Sequence, residues 1–238
     1  MLENYERLSR VYDLDWNDFS PKYVSIIKKI LEKQGTVRAK ILDLACGTGI
    51  LAAILAENGH FIRGIDISPQ MIEIARNKSA GFHDTGFQVQ DMTKFRAGDG
   101  FDLVTCIFDS INYVLDPVAL DSMFSHVYSA LKSSGYFLFD SNTHREYKKY
   151  REVRLARVLG KERFTQTFTY DKSKREATTT FEFADGAVEV HKQRPYGLSV
   201  LKQLLKKAGF KISHIFSVSE KIKYAISPGR VICLAQKK

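Results

Sequence analysis

The stretch "DLACGTG", from Asp43 to Gly49, follows a short apolar run and precedes a helix-like apolar segment. Gly47 and Gly49 carry no Cβ, so the backbone there can turn tightly and lie against a ligand. A helix starting at this point offers unpaired N–H groups and the positive end of its dipole. Asp66 closes the next apolar run, at the roughly twenty-residue spacing from which an acid accepts from ribose hydroxyls. "GTGILA" matches the G-x-G-x-x-A form of a dinucleotide fingerprint. Two further acids weigh against a dinucleotide. Asp43, within reach of the loop, would be unfavourable beside a pyrophosphate and favourable beside an ammonium or a sulfonium. Asp91, in "QDM", is placed to accept from an adenine amino group, with the Met92 N–H facing a ring nitrogen.

Alternating strands and helices must position these groups. The spacing predicts an amphipathic helix over 20–34, with Ser20 as cap and Pro21 in its first turn. Strands follow at 39–45, 61–67, 86–92, 101–108 and 136–142, separated by helices at 49–58, 68–79 and 116–134, the last ended by Gly135. This rhythm implies a parallel sheet with helices on both faces. After residue 143 the pattern changes to "ERFTQTFTYD", "REATTTFEF" and "AVEVHKQRP", with Asp185-Gly186 as a hairpin signal between the last two. These predict a small antiparallel insertion over 144–194. A helix at 198–208 and strands at 210–218 and 229–238 complete the chain, the two strands joined through "SEKIKYAISP".

The composition narrows the class. The 238 residues are 44% hydrophobic and 26% charged, an ordinary globular balance. No apolar stretch reaches the roughly 20 residues of a membrane helix. The first residues lack the apolar core of a secretory signal. Cys46, Cys106 and Cys233 are far apart and sit in apolar or glycine-rich contexts, which fits buried thiols in the cytoplasm. The net charge of +9 admits a nucleic-acid partner. The basic residues are scattered, however, and no RNA-binding motif accompanies them. Nor do His or Cys pairs with metal-ligand spacing occur.

"ILDLACGTG", "GIDIS", "VQDM" and "FDLVTCIFDSINYV" together resemble, in order and spacing, the motifs of class I S-adenosylmethionine-dependent methyltransferases. The resemblance implies a Rossmann-like α/β fold with a mostly parallel seven-stranded sheet. The antiparallel insertion and the Tyr12-Asp13 pair look most like the small-molecule N-methyltransferases. It implies that the backbone of Ala45, Cys46, Gly47 and Gly49 lines the methionine portion of S-adenosylmethionine, with Asp43 toward its ammonium. Asp66 would take the ribose hydroxyls, Ile67 and Met71 would pack on the adenine, and Asp91 and Met92 would read its edge. Phe108 and Asp109 would border the transferable methyl, and Tyr12 would act from an N-terminal lid. The domain division expected is a core of 1–143 and 195–238 and an insertion of 144–194, in a monomer or homodimer.

Methyl transfer from a sulfonium needs a nucleophile held in line, and a base only where its proton must leave early. Candidates near the methyl are Asp109 or Tyr113, to orient an amine, and His144 as a base. The bland alternatives are that Asn112 and Tyr113 begin a helix and that His144 is a surface loop residue. His191 and Arg194 read as hydrated strand residues sooner than as a pocket wall. The rival functions are a nicotinamide oxidoreductase, for which Tyr128-x-x-x-Lys132 is a weak mimic, an RNA or protein methyltransferase, and a non-catalytic cofactor binder.

Overall fold

The computed structural model describes residues 4–149, 152–217 and 229–238. Its centre is a seven-stranded sheet built from β1 (Lys40–Leu44), β2 (Phe61–Asp66), β3 (Thr85–Val89), β4 (Phe101–Cys106), β5 (Leu131–Asn142), β10 (Phe210–Ser217) and β11 (Arg230–Lys237). The spatial order is β10-β11-β5-β4-β1-β2-β3. Only β11 runs against its neighbours, pairing antiparallel with both β5 and β10. β4 is buried at every position and β1 at four of five, as expected where helices cover both faces of parallel strands.

On one face lie α2 (Val24–Lys33), α3 (Ile50–Glu57) and α4 (Pro69–Lys78), which pack Ile27, Leu51, Leu55 and Ile72 against Ile41 and Ile62. On the other lie α5 (Pro117–Ala130) and α7 (Leu198–Lys207), which pack Leu120, Phe124 and Leu205 against Val104, Phe137 and Phe139. Strand order reverses between β1 and β4, and open α/β sheets bind ligands outside the carboxyl ends of the strands at that point.

A second, four-stranded antiparallel sheet comprises β6 (Glu152–Leu159), β7 (Glu162–Asp171), β8 (Glu176–Phe183) and β9 (Val188–Gln193), in sequential order. The four-residue α6 (His144–Tyr147) leads into it. The N-terminal segment, with a 3-10 turn at Leu8–Val11 followed by α1 (Tyr12–Asp15), packs Leu8 and Val11 on Phe164, Phe181 and Phe183 of this sheet.

Several local expectations need correction. Residues 20–23 form a 3-10 turn, not the first turn of α2, and Ser20 caps nothing. β3 ends at Val89, so Gln90, Asp91 and Met92 lie beyond the strand. α5 stops at Ala130, and residues 131–135 already belong to β5. Gly135 sits where an added Cβ would press on the Lys132 and Phe101 carbonyls, so it marks a tight place in the strand and not the helix end. β6 was not foreseen. The connection at 219–228 lies outside the described residues.

Candidate active site

Between the carboxyl edge of the large sheet, the inner face of the second sheet and the N-terminal segment lies a cavity of about 760 Å³. That is within the range of small-molecule sites. β1 delivers the glycine loop. Ala45, Gly47 and Gly49 have positive φ (53°, 54° and 75°), and Gly49 caps α3. A Cβ on Gly49 would come within 2.9 Å of the Ala75 Cβ, so this glycine lets α3 and α4 approach. A Cβ on Gly47 would meet nothing within 4 Å, and Gly47 lines the cavity. The two glycines thus do separate work.

Asp66 ends β2 at the cavity wall. Its two oxygens accept from the Gly47 N–H and the Ser68 N–H, each at 2.9 Å. Burial pushes the carboxyl up, and these backbone donors oppose that shift. Ser68 then caps α4 by accepting from the Met71 N–H. Beside Asp66, Ile67 lines the cavity while remaining 65% exposed. Met71 and Met92 line the same cavity. A carboxylate suited to a diol next to an unpaired apolar side chain is the donor set a nucleoside requires, so the residues present fit an adenosine-bearing cofactor. Asp91 also lines the cavity, with one oxygen accepting from the Thr93 N–H and hydroxyl at 2.8 Å each.

The turn after β4 carries Phe108 and Asp109, both with positive φ (62° and 49°). Two such non-glycine residues in sequence cost on the order of 1–3 kcal/mol each and must be held by their surroundings. The Asp109 N–H donates to Asp140 at 3.1 Å, and the Asp109 carboxylate accepts from Arg230 at 2.6 Å and from Gln193 at 2.6 Å. Arg230 also pairs with Asp140. Its guanidinium lies 4.6 Å from the Phe19 ring centroid, and Phe19 stacks on Phe108 at 4.1 Å. Burial alone would lower the Arg230 pKa, but Asp109 and Asp140 reverse this and raise it.

A 3-10 turn at Ser110–Tyr113 follows, fixed by the buried Asn112. The Asn112 side chain donates to the Asn142 and Arg194 carbonyls and accepts from the Asn142 N–H. Tyr113 projects into the cavity. From the second sheet, the register Phe168↔Thr179↔His191 and Gln166↔Phe181↔Glu189 forms two rows on the inner face. Glu189 is fully buried and accepts from the N–H groups of Tyr5, Arg7 and Leu8 (3.1, 2.5 and 2.9 Å). The N-terminal segment is also joined to the glycine loop, because Asp13 accepts from the Thr48 hydroxyl at 2.5 Å and from Lys78 at 2.7 Å.

The cavity therefore gathers Tyr12, Ala45, Gly47, Asp66, Ile67, Met71, Asp91, Met92, Phe108, Asp109 and Tyr113. Asp43, Cys46, Gly49 and His144 are not part of its lining. Asp43 is buried and accepts from the Thr105 hydroxyl at 2.7 Å. His144 sits beside Tyr170, with its Nδ1 2.5 Å from the Tyr170 hydroxyl. His191 is not a hydrated strand residue but a buried one that faces the cavity. Its signal in the sequence is the alternation Glu189, His191, Gln193 along β9, of which the first two are buried.

A methyltransferase-domain family model matches residues 41–135. A protein of Geobacillus sp. (strain WCH70) whose given name is that of a methyltransferase is 33% identical over 231 residues, covering 89% of this chain and 90% of that one. An S-adenosylmethionine-dependent methyltransferase from Clostridium acetobutylicum ATCC 824 superposes with a TM-score of 0.77 at 26% identity, covering 98% and 96% of the two chains. The chain belongs to the class I S-adenosylmethionine-dependent methyltransferases. The methyltransferase is also similar over 125 residues, 51% of each chain, to a ubiquinone biosynthesis O-methyltransferase of Coxiella burnetii at 31% identity. Its fold is shared with CalS10, an amino pentose methyltransferase of Micromonospora echinaspora solved with S-adenosylmethionine bound (TM-score 0.71, 17% identity, 100% and 98% covered). Tyr128 and Lys132 of the methyltransferase do not line the cavity, and Lys132 pairs instead with Asp102.

Proposed function

We propose that this S-adenosylmethionine-dependent methyltransferase modifies a small-molecule amine held between the N-terminal segment and the second sheet. The observation that carries the reading is the aromatic part of the cavity's lining. It includes the rings of Tyr5, Tyr12, Trp16, Phe108, Tyr113 and Phe168, with Asp109 at one side. Aromatic faces near a carboxylate suit a cationic or amino-bearing ligand. The amino pentose substrate class in CalS10's name agrees with this, and the ubiquinone relative makes a hydroxyl acceptor the alternative.

In this reading Asp66 takes the ribose hydroxyls, Ile67 and Met71 flank the adenine, and Asp91 with Met92 reads its edge. Ala45 and Gly47 lie along the methionine portion, and Tyr12 and Phe108 border the methyl. Asp109, already bound to Arg230 and Gln193, acts as a positioning group for the acceptor and not as a free base. Asp43, which accepts from Thr105 and lies outside the lining, takes no direct part in holding the cofactor. The segment 144–194 serves as the acceptor-binding subdomain. The three free thiols agree with a cytoplasmic enzyme, and no described helix is long and apolar enough to cross a membrane.

The test is a screen of amines, amino sugars and phenols with S-adenosylmethionine, read by mass shift of the acceptor. Methylation of amines alone is the expected result. Turnover confined to hydroxyl acceptors would overturn the amine, and turnover confined to RNA or protein would overturn the small-molecule reading.

A further inference from the structure

A chain of hydrogen bonds runs from the cavity into the second sheet. The Tyr5 and Tyr113 hydroxyls are 2.6 Å apart. The Tyr113 hydroxyl is 3.1 Å from His191 Nδ1, and His191 Nε2 is 3.2 Å from Glu189 Oε2. Glu189 also accepts from three backbone N–H groups, a set of donors that suits a carboxylate. With Glu189 as the carboxylate, the polarity of the chain follows. Nε2 must carry the proton it gives to Glu189, which leaves the Nδ1 lone pair to accept from Tyr113. Tyr113 has then spent its proton, so Tyr5 donates to it. Glu189 and His191 are 0% and 3% exposed, whereas Tyr5 and Tyr113 line the cavity.

We propose that Tyr113, His191 and Glu189 form a relay that takes a proton from the methyl acceptor at the Tyr5–Tyr113 hydroxyl pair and stores it on His191. The proposal rests on the small-molecule reading above and deepens it. The acceptor is one that reaches the site still protonated, as an ammonium or a hydroxyl. The acceptor's proton first passes to the hydroxyl pair and the Tyr113 proton to Nδ1, so that the resulting imidazolium faces the Glu189 carboxylate and the acceptor atom is left with a free electron pair. That pair then forms the bond to the methyl carbon as the methyl–sulfur bond breaks and its electrons return to sulfur. Burial holds the Tyr113 phenol well above its ordinary value, so Tyr113 serves as a conduit and not as a stored phenolate.

The titratable groups facing the imidazole come from three elements. Glu189 is on β9, Tyr113 is on the turn after β4, and Tyr5 is edge-on at 4.5 Å from the N-terminal segment. Phe181 of β8 closes the ring's other side at 5.1 Å and carries no charge. Asp66 and Asp109 act on Tyr113 from across the cavity.

The first test needs neither cofactor nor acceptor. In the full chain labelled with 15N-histidine, the His191 resonances, assigned by their loss in His191→Gln, should show a protonated Nε2 and an unprotonated Nδ1 at neutral pH. The Nδ1 shift should move in Tyr113→Phe. A protonated Nδ1, or no change in Tyr113→Phe, overturns the relay. The second test uses an acceptor from the screen. Tyr113→Phe and His191→Gln should lower the single-turnover rate about 100-fold or more, in the range of general base catalysis, with the S-adenosylmethionine Kd within twofold of wild type. A rate within threefold of wild type in both variants overturns the relay. Loss of S-adenosylmethionine binding in wild type would instead strike the functional reading, while the nitrogen shifts still report on the relay.

Discussion

Asp43 is a carboxylate with almost no water around it. Desolvation pushes its pKa to about 7, the Thr105 hydroxyl opposes the shift, and Asp66 adds to it. Its folded value therefore lies above its unfolded one. Between about pH 4 and pH 7 the folded state holds a proton that the unfolded state has lost, so this group's contribution to stability declines as pH rises through that window. Each pH unit of separation is worth about 1.4 kcal/mol. Asp43→Asn should gain on wild type steadily between pH 4 and pH 7 and then level off, as read by chemical denaturation. A pH-independent difference would show that the carboxyl ionises without cost. Asp66→Ala should weaken S-adenosylmethionine by about 30-fold or more in calorimetry, because charge-assisted hydrogen bonds contribute about 1.5–3 kcal/mol each. Gly49→Ala should cost about 2 kcal/mol through its Cβ contact and its positive φ. In a chain of this length that lowers Tm by roughly 4–8 °C. The loop and Asp66 could be read in the sequence because their partners are neighbours along one strand–turn–helix unit. The pairing of Asp109 with Arg230 could not, since 121 positions separate them.

At the scale of elements, a strand is legible in the sequence where it buries at least one face, and obscure where it buries neither. β4, "FDLVTC", is buried at every position and largely apolar, and it announces itself. β6 is an edge strand, "EVRLARVL", whose charged and apolar residues both face solvent. Nothing in its pattern distinguishes it from a polar loop. α5 reads as longer than it is because Lys132, Ser133 and Ser134 suit a helix end, yet pairing with β4 draws Leu131 into β5. The N-terminal segment is the element with the most to test. Glu189 secures three of its N–H groups, so Glu189→Gln should raise the amide exchange of residues 5–16 at least tenfold while leaving β1 and β4 protected. Equal protection in the variant would mean that the apolar contacts of Leu8 and Val11 suffice to hold the lid.

The whole molecule closes one cavity between two sheets that share no hydrogen-bonded strand. A ligand bridging them should stabilise the assembly through mass action. At 100 times its Kd, S-adenosylmethionine or its demethylated product should add about 2.7 kcal/mol. That is roughly 5–11 °C in Tm. NAD should add nothing, and a shift with NAD equal to that with the sulfonium would contradict the family's chemistry in this chain. The bonds from Tyr5, Arg7 and Leu8 to Glu189 also set an order of events during synthesis. They join residues more than 180 positions apart. At about 5–20 residues per second, the first lid residues wait on the order of ten to forty seconds before the carboxylate that receives them is translated. Throughout that interval the glycine loop and Asp66 can already be folded while the roof over them is missing. The nascent enzyme therefore passes through a stage in which a nucleoside could dock and leave again, and commitment to turnover waits for β9 and for the later strand that brings Arg230 to Asp109.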